Sequence, residues 1–167
     1  MFTSKLTSVA LSVLLTGGLA ACAKPAPPKP AVDTAAFAED VKADLHQLVA
    51  DFNAHDAAKA VGHDAPDYVG MLHGQPNVKG PAEDLALTRQ QVADPLSKVT
   101  VSDETVDVAA SGDMAVYRAT YWQDSSGKDG TPLTQKINLI AGFRHPAGKD
   151  WEIGWYIVSA MEPSHKK

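Results

Sequence analysis

Cysteine is nearly missing from this chain of 167 residues: Cys22 is the only one. A single thiol excludes an internal disulfide framework and a CxxC redox pair. Clustered basic charge is missing too. Lys and Arg number 15 against 20 Asp and Glu, a net charge of -5, and the two signs are interspersed along the chain. A nucleic-acid surface needs grouped Lys and Arg, so that class of partner is excluded. There is no internal repeat, no Gly-rich phosphate loop and no Ser-His-acid arrangement. Metal-ligand spacing is absent as well, since His55 and His63 are separated by a short helix and His73 lies beyond a strand. No metal and no cofactor is expected.

The first fifth of the chain is not part of the fold. Residues 1–21 carry one early positive charge, Lys5, and then a mostly apolar run over 6–20 that is too short to span a bilayer as a helix. This is the pattern of a secretory signal peptide. It ends in Leu19-Ala20-Ala21-Cys22, which resembles the bacterial lipobox, where the cysteine sulfur is lipidated and becomes the new N-terminus. The alternative, an ordinary signal followed by a chance cysteine, would leave an exported protein with a lone thiol. Lipidation of Cys22 implies attachment to the bacterial cell envelope on the periplasmic side, at the outer membrane in preference to the inner. Each buried CH2 of the acyl chains contributes about 0.8 kcal/mol, so more than one chain makes release negligible. Residues 22–33 continue as the lipidated Cys and a Pro/Ala-rich tether, AKPAPPKPAVD, whose composition favours extended polyproline II.

Residues 34–163 have the size of one compact domain, and 164–167 form a short tail. Phe37, Val41, Leu45, Leu48, Val49 and Phe52 recur at three- and four-residue steps and predict a first helix with one buried stripe. Asp56 is placed to cap a short second helix over 57–62. Gly80-Pro81 starts a third, with Glu83 and Asp84 in its positive first turn and Asp94-Pro95 as its stop. Period-two alternation then predicts strands over 98–108, 113–123, 134–144 and 151–160, and a short strand over 68–72. The order is α+β, with helices covering one face of a curved sheet.

The helix ending FNAHD (52–56), the strand DYVGMLHG (67–74) followed by Gly80-Pro81, the turn SGDMAVY (111–117) and the closing WEIGWYIVSAMEP (151–163) carry a family resemblance. In their order and spacing they resemble the nuclear transport factor 2-like (NTF2-like) superfamily, in particular SnoaL-like polyketide cyclase and DUF4440-type domains. The resemblance implies a cone of three helices packed on a curved antiparallel or mixed sheet around an apolar pocket. Ketosteroid isomerases of that superfamily place a Tyr on the first helix, an Asp base on the first strand and an Asp oxyanion donor on a later one. Gapless threading from the helix ending places Leu48 and Leu72 at the first two positions, and anchoring the third long strand on Phe143 places Leu139 at the last; leucine moves no proton.

Ala115, Tyr117, Ala119 and Tyr121 share one face of their strand, and the threading turns that face inward. The expected ligand pocket is Leu48, Tyr68, Leu72, Tyr117, Tyr121, Ile137, Leu139 and Phe143. The alternative for the tyrosines is plain core filling. His73, Tyr68 and Tyr121 are the candidate acid/base residues, with none assigned as catalytic. The stretch His63-Asp64-Ala65-Pro66 is expected to be an exposed turn. The expected function is an envelope lipoprotein that binds a small apolar ligand or a protein partner without catalysis. The alternative is a SnoaL-like or ketosteroid isomerase-like isomerase, cyclase or hydratase. The outer sheet face, with Met114, Val116 and Trp122, is expected to pair in a homodimer.

Overall fold

The computed structural model describes residues 31–160; the expected signal peptide, the expected lipidation site Cys22, the expected tether up to residue 30 and the tail from residue 161 lie outside the described residues. Helix α1 spans Thr34–Asn53, and the Asp33 side chain caps it by accepting from the Ala36 N–H at 3.0 Å. Its apolar stripe buries Val41, Leu45 and Phe52. Helix α2 is one turn, Ala57–Ala60, capped by Asp56, and it tightens into a 3-10 turn at Val61–His63. Helix α3, Gly80–Val92, begins with Pro81 in its first turn. The backbone N–H of Lys79 donates to Glu83 at 2.8 Å, which occupies one of the free groups at that helix start.

Six strands form one mixed sheet in the order β2-β1-β6-β5-β4-β3. They are β1 Asp64–Met71, β2 Val78–Lys79, β3 Lys98–Val108, β4 Met114–Ser126, β5 Pro132–Arg144 and β6 Glu152–Ala160. The four long strands form an antiparallel meander, and β1 joins its β6 edge in parallel. The hairpin strands β4 and β5 run to Ser126 and from Pro132, longer than expected, and α2 stops at Ala60; two further differences bear on the site. The first strand starts at Asp64, four residues early, because Asp64 pairs with Ile153 of β6 ahead of a register shift. The two-residue β2 was not expected at all, because a pair so short carries no periodicity.

The core lies between the sheet and the helices. Tyr68, Ala115, Tyr117, Ala141, Phe143, Trp151 and Ile153 bury against Val41 and Leu45 of α1. A second cluster of Phe52, Ala57, Ala60 and Val92 ties the end of α1 to α2 and α3. Alternation holds along β4, where Ala115, Tyr117 and Ala119 are buried while Met114, Arg118 and Trp122 are exposed. It breaks on β6, where a register shift opposite Gly142 and Phe143 leaves both Ile153 and Tyr156 on the inner side.

Candidate functional site

Where the helices leave the sheet uncovered, the fold encloses a cavity of about 380 Å³. That is within the range of small-molecule sites. Leu45, Leu48, Val49 and Phe52 of α1 form one wall, Val99 and Val101 of β3 and Ile137, Leu139 and Ala141 of β5 the others. The rim is polar: His73 and Gln75 follow β1, and Gln123 and Gln135 sit opposite one another on β4 and β5.

The buried side carries a group that the residue pattern did not single out. Asp64, the first residue of β1, and Asp84 of α3 both line the cavity, close enough that each perturbs the titration of the other. Asp84 is only 7% exposed. Burial raises the pKa of both carboxyls, and for Asp64 the neighbouring Asp84 charge raises it further. Two carboxyls that cannot both ionise at low cost titrate as a unit, and this pair holds a proton well above the usual carboxylate range. Among the described residues the cavity lining has no Lys or Arg to balance the charge.

Tyrosines complete the buried side. Tyr156 of β6 lines the cavity, and burial and the Asp84 charge hold its hydroxyl protonated. Tyr68 is 1% exposed, its ring centroid 5.6 Å from that of Tyr156. Its hydroxyl is buried near Tyr156 and has no hydrogen-bond partner, and Asp64 Oδ2 likewise has none. Burial pushes the Tyr121 hydroxyl up to about 12.

Of the residues expected at the pocket, Leu48, Leu72, Tyr121, Ile137 and Leu139 line the cavity. Tyr68 belongs to the closed core and does not line the cavity. Tyr117 and Phe143 sit in the closed core instead, edge to face with centroids 6.4 Å apart, and the Tyr117 hydroxyl donates to Glu104 of β3. His73 is exposed at the rim. The expected exposed turn at 63–66 is corrected. His63 is partly buried, with Nδ1 2.8 Å from Asp44 and Nε2 3.7 Å from Asp51, and these carboxylates raise its pKa against the cost of burial.

The helix-dipole rule assigns Asp84 to the positive first turn of α3, a role that Glu83 fills. The signal that would have found it is α3 itself. GPAEDLALTRQQV has no clean apolar stripe, yet it packs on the sheet, so Asp84, Thr88 and Gln91 at four- and three-residue steps must face inward.

No family model matches the chain, and no curated protein does. Solved structures do resemble it. A ketosteroid isomerase-like protein from Erwinia carotovora atroseptica superposes with a TM-score of 0.62 at 18% identity, over 75% of this chain and 96% of that one. An NTF2-like protein with a cystatin-like fold from Novosphingobium aromaticivorans gives 0.62 at 21% identity, over 76% and 83%. An NTF2-like protein of unknown function from Pseudomonas putida gives 0.64 at 17% identity, over 80% and 92%. The fold is therefore the NTF2-like, cystatin-like cone, and at such identities the likeness concerns the fold alone.

Proposed function

We propose that this chain is an NTF2-like binding protein that holds a small, mostly apolar molecule in the cavity between α1 and the sheet. The observation that supports the reading is the cavity itself: its walls from α1 and β3 are apolar, and its polar groups come from α3, the ends of β1 and the rim. Native mass spectrometry of the purified chain is expected to find such a molecule retained. A chain that emerges empty and takes up no apolar compound would refute the reading. We place the protein at the cell envelope, anchored through Cys22, so Cys22→Ser is expected to move it from the membrane fraction to the soluble one. Persistence in the membrane fraction would contradict the anchor.

A second reading is favoured by the carboxyl pair. A carboxyl that keeps its proton near neutral pH can act as a general acid, and the partner carboxylate can return the proton. An isomerase, cyclase or hydratase would then use Asp64 and Asp84 with Tyr156. His73 is too exposed, and the Tyr68 hydroxyl too deeply buried, to lead such chemistry. Turnover of an enolisable ketone that disappears in Asp64→Asn, with the melting curve unchanged, would make this reading the leading one.

A further inference from the structure

We infer that the glutamines at the mouth of the cavity, Gln91, Gln123 and Gln135, recognise an uncharged amide-type head, so that the ligand is an elongated apolar molecule ending in that group. The inference rests on the binding reading above and names the class of ligand. The chamber is long. Its lining runs along β5 from Ala141, paired with Tyr156 of β6, to Gln135, paired with Gln123 of β4. At about 3.4 Å per residue that is roughly 20 Å of strand. A volume of about 380 Å³ spread over such a length is a slot and not a globe. Leu139, Val158, Ile137 and Ala160 line it between the two ends.

Three elements bring an amide to the outer end. Gln123 and Gln135 are cross-strand partners, and both line the cavity. Gln91 reaches the same end from α3. Asp94, just past that helix, accepts from the Ser126 backbone N–H and from the Ser126 Oγ at 2.8 Å, which ties the end of α3 to the end of β4. Gln91 and Gln123 each stand one helical or strand step back from this tie, on the cavity side. Asn53 satisfies its amide on both backbone groups of Val99, whereas among the described residues the amides of Gln91, Gln123 and Gln135 have no protein partner.

Each glutamine presents one acceptor, two donors and no charge. A ligand amide offers both roles in return: its carbonyl accepts from one side chain while its N–H donates to another. A ketone fills only the first role. A carboxylate brings a charge that this end of the chamber cannot meet, since among the described residues the lining has no Lys or Arg, and part of its hydration is lost on entry. His73 follows β1, which lies two strands from β5 in the sheet. The acids of the lining are remote as well, with Asp84 about 10 Å from Gln91 along α3.

The test uses three probes with one heptyl body on one carbonyl, octanamide, nonan-2-one and octanoate, titrated calorimetrically into the purified chain at pH 7. Octanamide is expected to bind at least about fivefold tighter than the ketone and at least about tenfold tighter than octanoate. In the double variant Gln123→Leu/Gln135→Leu the preference for amide over ketone should fall to within about twofold, with the melting curve reporting that the variant is folded. Ketone or octanoate binding as tight as that of octanamide in the parent chain would overturn the amide head and leave the cavity reading standing. An undiminished preference in the folded double variant, or a preference lost in Asp84→Asn instead, would place the head away from the mouth and overturn the assignment to the glutamines. Binding of none of the three probes would overturn both readings.

Discussion

The Tyr68 hydroxyl occupies the space that a side chain on Gly70 would need: a Cβ on residue 70 would lie 2.7 Å from that oxygen and 3.3 Å from Cζ of the ring. The two residues are neighbours on the inner face of β1, and the bare backbone at 70 is what lets the ring lie along the strand over residue 70. Gly70→Ala is expected to push the ring off and to destabilise the chain by about 1–3 kcal/mol, the usual cost of overpacking. Tyr68→Phe removes an unpartnered buried hydroxyl and keeps the ring, so it is expected to be neutral or mildly stabilising. Urea denaturation of both variants checks the pair of outcomes; a large loss in Tyr68→Phe would mean that the hydroxyl is bonded after all.

The carboxyl pair sets a pH dependence whose sign follows from its direction of shift. Folded Asp64 and Asp84 hold protons above the ordinary value of 3.8, so between that pH and neutrality the native state binds more protons than the unfolded chain. Stability contributed by the pair is therefore fully present below about pH 4 and declines as pH rises through the raised native values. Asp84→Asn is expected to flatten this decline and to raise stability at pH 8 by about 1 kcal/mol, since it removes a buried charge that has no cation beside it. Melting temperatures of the parent chain and the variant at pH 5 and pH 8 decide it. A parent chain that gains stability from pH 5 to pH 8 relative to the variant would contradict the assignment.

The outer sheet face is apolar where it need not be. Met114 is 52% exposed, Trp122 42%, and Ile140 and Ile157 39% each, the last two opposite one another on β5 and β6. Pairing of two copies through this face is expected, and Ile140→Lys should dissociate it with little effect on the monomer fold, because residue 140 makes no part of the core. Sedimentation of the parent chain as a strict monomer at high concentration would remove the basis for a homodimer.

Much of the fold was legible because its elements obey simple periods. The stripe from Phe37 to Phe52 made α1 visible, and the alternation Ala115, Tyr117, Ala119 and Tyr121 fixed the inward face of β4. The site was less legible, for three physical reasons. Asp64 stands among turn-forming residues, so local chemistry suggested an exposed loop, whereas pairing to the distant β6 makes it the start of a strand. Asp84 obeys the helix-dipole rule on paper, but its rotation about α3 turns it to the cavity. The inward face of β6 changes parity at a register shift that alternation alone does not reveal. Tyr117 was assigned the right face and the wrong neighbours, since its hydroxyl meets Glu104 across β3 and not a ligand.

The claim that this fold binds a small apolar molecule is tested most directly by titrating the purified chain with a neutral fluorescent probe, N-phenyl-1-naphthylamine, beside the cavity-filling variant Leu139→Trp. Leu139 lines the cavity from β5, and the larger indole there would project into the ligand space. The account predicts saturable one-to-one binding by the parent chain, stabilisation of about 2.7 kcal/mol at a hundredfold excess over Kd, and loss of both in the variant while it remains folded. Absence of saturable binding, or equal binding by the folded variant, would contradict it.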